Sequence, residues 1–331
     1  MRLLRIIFIF FMFTNNTSQA KDINMSPLNN SPYFTLKVES FGVSFFTNIN
    51  GVTIYKELDN NGQISTTIPI NNYMSPEKNF LEIEALPPEA GSKFNPNSHI
   101  LISLQVAPND NKDKIITLTS IIFSGNATNG KHAEKSSSSG NFRSTDGQPD
   151  KDGDIIIGQI SYKKINEYEG GVAISRELSA PSTIPKWEFL NSDEIPNLES
   201  LSDNEYYSLL DSLLEEYLKI QNAIKNKSTS QVINLFKERN IETDKAFYLT
   251  PGTTEAKISK SLSDVENDND LGLIELKRDS VDFTVEPNNR LISLTRTGLT
   301  PAISLDFKNG YGSQRYNLIF RREGNNWILT R

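Results

Sequence analysis

The sequence predicts two domains: an all-β sandwich or jelly roll, followed by an α+β domain whose helices pack on one face of an antiparallel sheet. A length of 331 residues favours two domains over one. Short segments with a period of two fill residues 33–178, and helical periodicity begins only after residue 201. The period of two returns from residue 272 onward, which is typical of an α+β arrangement.

The first twenty residues have the three-part layout of a secretory signal peptide. Two arginines form a basic start, residues 6–13 are an apolar run, and residues 18–20 (Ser-Gln-Ala) form a small-x-small end. The apolar run is much shorter than the roughly 20 residues that span a membrane. We therefore expect residues 1–20 to be removed before Lys21, which would place the mature protein in the periplasm of a Gram-negative bacterium or outside the cell.

Residues 21–180 are predicted to form the β-sandwich. Aromatic and β-branched residues alternate with polar ones, and Asn50-Gly51 is the pair that a tight hairpin prefers, because both residues tolerate positive φ. The expected strands are residues 33–40, 43–49, 52–55, 65–70, 80–86, 100–106, 115–123, 155–162 and 172–178.

A long loop interrupts these strands at residues 125–153, which contain almost no large apolar residue and are expected to be flexible. Its acidic end and the residue beyond it include Asp150, Asp152 and Asp154. An EF-hand alignment would place glutamines at the positions where calcium loops need Asp and Glu. The pattern favours a polar turn, with looser calcium coordination by these three carboxylates as the alternative.

Residues 181–201 are predicted to be a linker, because prolines accumulate where the period changes. Ser202 and Glu205 then form a capping box, and the apolar spacing predicts a long helix over residues 206–224. Leu214 is expected on the buried stripe of that helix.

Two shorter helices should follow, one opened by a capping box at Ser228 and Gln231 and one after Pro251. The strands expected after them are residues 273–277, 281–286, 291–296, 302–307, 314–322 and 327–330. Trp327, at the start of the last strand, is expected to pack in the same core as the long helix.

Two resemblances to known families follow from these elements. The long helix 206–224, the short helix 232–236 and the closing YNLIFRREGNNWIL of residues 316–329 make residues 202–331 similar to the NTF2-like (cystatin-like) superfamily. That resemblance implies a curved sheet wrapped around the long helix as a cone. In residues 21–180, the segments 49–52 (INGV), 69–74 (PINNYM) and 79–83 (NFLEI) resemble galactose-binding-like jelly rolls of carbohydrate-active enzymes.

If the tail is a cone, five residues are candidates to bind a ligand in its cavity: Tyr207, Asp211, Tyr217, Asp244 and Tyr248. A buried Asp beside Tyr hydroxyls could have a raised pKa and act as a base. The alternative is that Asp211 faces water and Tyr217 is an ordinary core residue.

Composition excludes several classes of chemistry. The absence of Cys rules out disulfides, cysteine nucleophiles and thiolate metal sites, and two His leave little room for a zinc site. No nucleophile elbow, H-E-x-x-H or phosphate-binding loop is present, so no catalytic residue and no cofactor are expected. The formal charge of -7 argues against a nucleic-acid partner.

We therefore expect an exported, non-catalytic binding protein whose partner is another protein. One version is an immunity or accessory protein of a contact-dependent antibacterial secretion system, whose acidic surface would steer a basic secreted toxin. The alternatives are an enzyme or small-molecule carrier that uses the tail cavity, and a carbohydrate-binding surface protein. No transmembrane segment is expected after the signal is cleaved.

Overall fold

The computed structural model describes residues 31–60, 62–126, 150–152, 155–166, 168–179, 182–267, 271–307 and 313–331. The predicted signal peptide and most of the predicted loop lie outside these residues. Within them the protein is mostly β, with four antiparallel sheets and four α-helices. No helix of this described part is both long and apolar enough to cross a membrane.

The first two sheets are built from the strands that precede residue 180. In chain order these are β1 (Pro32–Phe41), β2 (Ser44–Ile49), β3 (Val52–Glu57), β4 (Gln63–Pro69), β5 (Lys78–Leu86), β6 (His99–Pro108), β7 (Ile116–Ser124), β8 (Asp150–Asp152), β9 (Ile155–Ile157), β10 (Ser161–Lys164) and β11 (Val172–Ser179). One sheet has the order β4-β1-β6-β7. The other has the order β3-β2-β5-β11-β9-β8, with β10 also paired to β11.

These two sheets enclose one hydrophobic core. Along β1, every second side chain points inward, so that buried residues alternate with less buried ones. Leu36 and Val38 on that face are fully buried, in the same cluster as Ile83 and Ile174 of the second sheet. The arrangement is sandwich-like, as the period of two predicts.

Two local features of this unit follow from its glycines. Asn50 and Gly51 have φ angles of 53° and 70° and join β2 to β3, which confirms the predicted hairpin. The single strand predicted over residues 155–162 is instead split into β9 and β10. The split falls at Gly158, whose amide donates to the Glu177 carbonyl at 2.8 Å and whose carbonyl accepts from the Arg176 side chain at 2.7 Å.

The tail combines helices with two further antiparallel sheets. The helices are α1 (Asp203–Lys225), α2 (Thr229–Leu235), α3 (Lys237–Ala246) and α4 (Thr253–Asn267). The strands are β12 (Leu271–Leu273), β13 (Asp282–Val285), β14 (Leu291–Arg296), β15 (Thr300–Pro301), β16 (Ile303–Phe307), β17 (Ser313–Tyr316), β18 (Phe320–Glu323) and β19 (Asn326–Leu329). One sheet has the order β13-β14-β18-β19, with β15 beside β14, and the other has the order β12-β16-β17.

Helix α1 begins and packs as its sequence predicts. Ser202 and Glu205 form the expected capping box, with the Ser202 amide donating to Glu205 Oε2 at 2.9 Å. Leu214 is only 7% exposed, in a second hydrophobic cluster that includes Ile292 of β14. Trp327 packs against the same cluster, and its indole Nε1 donates to Ser212 Oγ at 2.9 Å. The core position of Leu214 is confirmed, whereas Trp327 is partly buried and lies against the core.

Two predictions about the helices were wrong. Helix α3 was missed, because Ile241 and Ala246 are its only apolar residues and they form no apolar stripe. Helix α2 does follow Ser228, but the Ser228 side chain makes no capping bond. Its backbone carbonyl accepts from the Gln231 amide instead, at 3.0 Å.

Two predicted tail strands differ from those in the structure. The strand predicted over residues 314–322 is broken into β17 and β18, because residues 317–319 leave the strand pairing and Ile319 is buried in the first core. The strand predicted over residues 273–277 is wrong, because β12 (Leu271–Leu273) overlaps it only at Leu273. Beyond it, the carbonyl of Ile274 accepts from the Gln221 side chain on α1 at 2.9 Å.

Residues 182–201 are packed between the front sheets and the tail. Trp187 and Phe189 are at most 1% exposed and belong to the first hydrophobic cluster. Asn71 is fully buried beside them, with its side-chain amide donating to the carbonyls of Pro32 and Ala246, each at 2.7 Å. The two-domain division at residues 181–201 stays a prediction, and the described residues of that segment join the units closely.

Candidate functional site

Two of the five candidate tail residues lie on the exposed side of α1. Asp211 is solvent-exposed, and its Oδ1 is 2.9 Å from Arg278 Nε. The same guanidinium lies over the ring of Tyr207, 4.5 Å from its centroid, and Tyr207 is 48% exposed. This is a surface ion pair with an aromatic neighbour, and it agrees with the prediction that Asp211 faces water.

Tyr217 lies inside the second core, apart from that pair. Its hydroxyl donates to the Leu318 carbonyl at 2.6 Å and accepts from the Leu294 amide at 2.9 Å. Burial raises the pKa of Tyr217 well above its usual range. With both bonds made to backbone groups, Tyr217 joins α1 to the tail sheet, and its hydroxyl already has a donor and an acceptor.

The other two candidates lie where α3 leads into α4. The Asp244 carboxylate accepts from the amides of Gly252 and Thr254, at 2.7 and 2.9 Å, so it caps α4. The Tyr248 hydroxyl donates to the Pro32 carbonyl at 3.3 Å, and burial raises its pKa. The structure therefore places the five candidates in three separate surroundings.

The side chains of the calcium candidates Asp150, Asp152 and Asp154 lie outside the part of the chain that the structure describes. Within the described side chains, no group of three or more His, Cys, Asp or Glu is close enough to hold a metal ion.

A cleft that the sequence did not indicate lies between residues 185–188, helices α2 and α3, and strand β19. Its volume is about 500 Å³. Trp187 and Leu329, which are almost fully buried, form part of its wall, and Leu235 and Ile241 offer more apolar surface, with Ile241 of α3 41% exposed. A cleft of this size with an apolar lining suits a few side chains of a bound segment.

Three exposed lysines line this cleft: Lys186, Lys237 and Lys245. In the described part of the chain none of them forms an ion pair with a carboxylate. We call this feature the lysine cleft.

The two glutamates on α3 that also line the lysine cleft are neutralised from inside the protein. Glu238 accepts two bonds from Arg321, at 2.8 and 2.7 Å, and Glu242 pairs with Arg331. The Arg331 guanidinium is in turn held 4.4 Å from the centroid of the Phe189 ring. Glu188 also lines the cleft and forms no ion pair within the described residues, so three lysines and one carboxylate are left unpaired and the balance is positive.

Sequence reasoning missed the lysine cleft because its walls come from three distant segments. Lys186 lies in the predicted linker, and Lys237 and Lys245 lie on the helix that the apolar pattern did not reveal. The sequence does show a lysine at each end of residues 237–245 and an isoleucine midway between them, at residue 241, which is exposed in the structure.

Comparison with protein-family models, curated proteins and solved structures returns no match for this chain. Its function has to be inferred from the geometry of the chain itself.

Proposed function

We propose that this chain is an exported, non-catalytic binding protein of the periplasm or cell exterior, and that its partner is another protein. The observation that carries the proposal is the lysine cleft, where apolar surface is bordered by lysines without ion-pair partners in the described residues. An acidic segment with apolar side chains would match both parts of this surface.

The charge of the rest of the molecule supports an acidic segment as the occupant. The chain has 34 basic and 41 acidic residues, and the predicted signal peptide contains two of the basic ones. An acidic segment would be repelled by most of such a surface and attracted to the lysine cleft. The difference in electrostatic potential between the lysine cleft and the rest of the surface would direct the acidic segment to the cleft.

The alternative of an enzyme or carrier using a tail cavity gains no support from the five candidate residues. Tyr217 and Asp244 are hydrogen-bonded to buried backbone groups. Asp211 forms a surface ion pair with Arg278. Groups in these roles are not free to take up a proton from a substrate.

In its specific form, the proposal is an immunity or accessory protein of a contact-dependent antibacterial system, with a secreted toxin as partner. We also propose an NTF2-like fold for residues 202–331 and a jelly roll for residues 21–180. Packing of α1 against Leu294 and Phe320 of one tail sheet supports the first of these folds. An experimental structure would test both, and a tail sheet that does not curve around α1 would count against the NTF2-like fold.

The test is a charge reversal of the lysine cleft in the triple variant Lys186→Glu, Lys237→Glu, Lys245→Glu. The matched control is Lys163→Glu, Lys257→Glu, Lys260→Glu, which changes the net charge equally at exposed lysines outside the cleft. Binding of a labelled peptide of alternating Val and Glu is measured by fluorescence anisotropy, and partners are captured from periplasmic extract with each variant.

Three exposed ion pairs of about 0.5 kcal/mol each predict roughly tenfold weaker peptide binding by the cleft variant. A captured partner should be lost with the cleft variant and kept with the control. Equal binding by the two variants would refute the lysine cleft as the binding site. Export is tested separately: mass spectrometry of the periplasmic protein should show Lys21 as its first residue.

A further inference from the structure

A second cavity, of about 300 Å³, lies between strand β3 of the front unit and the β13–β14 hairpin of the tail. It is independent of the lysine cleft, with which it shares no lining residue. Most of its lining side chains are polar, which is unusual because small-molecule cavities are mainly apolar. Cavities between structural units are common ligand sites.

A β-bulge shapes one wall of this cavity. Thr47 of β2 pairs with Tyr55 and Asn48 pairs with Thr53, so that Ile54 has no partner across the strands. A bulge redirects side chains that would otherwise alternate between the two faces. As a result, the four consecutive residues 53–56 all line the cavity.

The opposite wall is held in place by a close contact between two turns. Asn288, at the turn of the β13–β14 hairpin, donates its amide to the Gly51 carbonyl at 3.0 Å. A Cβ on Gly51 would stand 2.7 Å from the Asn288 Cβ, and Gly51 has a φ of 70°. Only glycine permits this approach without displacing one of the turns, so the spacing of the two walls is tightly constrained.

One carboxylate and one ammonium line the cavity. Glu286 is 5% exposed and accepts from the Thr53 amide at 2.7 Å. Lys56, at the exposed side, donates to the Leu299 carbonyl at 2.5 Å. Burial raises the pKa of Glu286, against the opposing effects of its bonds from Thr53 and the charge of Lys56. The two charges balance, so the lining carries no net charge.

Hydrogen-bonding capacity remains unused around this cavity. No bond within the described residues is made by the side chains of Ser293 or Asn317, which both line it. Asn48 lies opposite Thr53 and on the same face of β2 as the lining residue Phe46. Asn48 is 1% exposed; its Nδ2 donates to Glu84 Oε1 at 3.0 Å, and its Oδ1 has no hydrogen-bond partner within the described residues. The Ser293 hydroxyl and the Asn317 amide therefore leave donors and acceptors available to a molecule bound in the cavity.

We propose that this cavity binds a small, uncharged, polyhydroxylated molecule of about the size of one sugar ring. Hydroxyl groups both donate and accept, which matches a lining of one carboxylate, one ammonium, hydroxyls and amides. Phe46 and Tyr55 add ring surface for the C–H faces of such a molecule. The charge of Glu286 disfavours a multiply charged anion, and the charge of Lys56 disfavours a metal cation. The cavity volume is at the lower end of the roughly 300–1,000 Å³ range of ligand cavities, which indicates a small ligand.

The test is titration calorimetry of the full-length mature protein with glucose, galactose, mannose, N-acetylglucosamine and inositol. Alanine as a zwitterion and inorganic phosphate serve as charged comparisons. The variants are Lys56→Met and Asn317→Ala, both at exposed positions, where a substitution changes stability little. Lys163→Met is the matched control, because Lys163 is also an exposed strand lysine.

We expect at least one sugar or inositol to bind, with about tenfold weaker binding in Lys56→Met, the loss typical of one hydrogen bond to a charged group. Asn317→Ala should also weaken binding, and Lys163→Met should not. The proposal is overturned if none of the five compounds binds at roughly 10 mM, if neither cavity variant weakens binding, or if only alanine or phosphate binds.

Discussion

The two hydrophobic cores of the molecule differ in where their residues come from. The second core uses only residues from Ile195 onward. The first core is built mainly from the front sheets, yet it also includes Ala246, Leu291 and Ile319 of the tail. The tail can therefore complete its own core, whereas the front unit needs the tail to cover part of its apolar surface.

Two buried polar residues, Asn71 beside the first core and Tyr217 in the second, show the same asymmetry. Asn71 bonds to the carbonyls of Pro32 and Ala246, and therefore connects the front unit to the tail. Tyr217 bonds to Leu294 and Leu318, both within the tail. A change at the junction should thus affect the whole molecule, and a change in the second core should stay local.

The largest effect is expected from Trp187→Ala. Trp187 is 1% exposed in the first core and donates to the Asn71 carbonyl at 3.2 Å. Its removal should lower the free energy of unfolding by about 3–5 kcal/mol through lost burial and a cavity. Urea titration measures the loss, and limited proteolysis should show faster cleavage within residues 182–201.

Trp187→Phe is the control for this change, because it keeps most of the apolar volume and loses the indole bond. It should be clearly milder than the alanine variant. A loss below about 1 kcal/mol for Trp187→Ala would mean that the junction is not the part that unites the two cores.

Leu214→Ala should have a similar or slightly smaller effect, about 2–5 kcal/mol, but in the tail alone. Hydrogen-exchange mass spectrometry can separate the two regions. Exchange should accelerate in α1 and β14 and stay unchanged in β1 and β6, because Leu214 contributes only to the second core. Equal acceleration in both regions would contradict the self-contained tail.

Tyr217→Phe should cost about 1–3 kcal/mol, because it leaves the Leu294 amide and the Leu318 carbonyl buried without a partner. The ring itself stays packed, so the loss measured by urea titration comes from the hydroxyl. An unchanged stability would show that this hydroxyl does not anchor α1 to the sheet.

The smallest effect is expected from Asp211→Asn. The Asp211 side chain is 52% exposed, and water screens its pairing with Arg278. Thermal melting should agree with the unchanged protein to within about 0.5 kcal/mol. A large loss would mean that the face of α1 that carries Asp211 is buried against something.

The regular elements could be predicted because their signals are local. The alternation along β1, the Asn50-Gly51 turn and the Ser202 capping box each depend on residues that are neighbours in the chain. Helix α3 was not predicted because its buried residues are mostly polar (Asn240, Glu242 and Asp244), so that no apolar stripe marks it. The periodicity of apolar residues along the sequence does not identify such a helix.

The candidate sites could not be predicted for a different reason. The lysine cleft joins residue 186 to residues 237–245 and 328–329, and the second cavity joins residues 53–56 to residues 284–295. Each site exists only after segments far apart in the chain have packed together. The five tail residues singled out from the sequence had suitable chemistry, but Tyr217, Asp244 and Tyr248 bond to backbone groups that no sequence pattern identifies. Tyr207 and Asp211 contact Arg278, which is more than 60 positions away in the chain.

The burial of Ile319 in the first core has a consequence for how the protein is made. The front strands emerge first during synthesis, yet part of their core surface is covered by a residue near position 320, and the Asn71 bond to Ala246 spans 175 positions. Contacts across such separations form slowly, because the intervening chain must be ordered first. Until these contacts form, the front sheets expose apolar surface that is prone to aggregation. We therefore expect the newly synthesised chain to need a chaperone that binds unfolded segments.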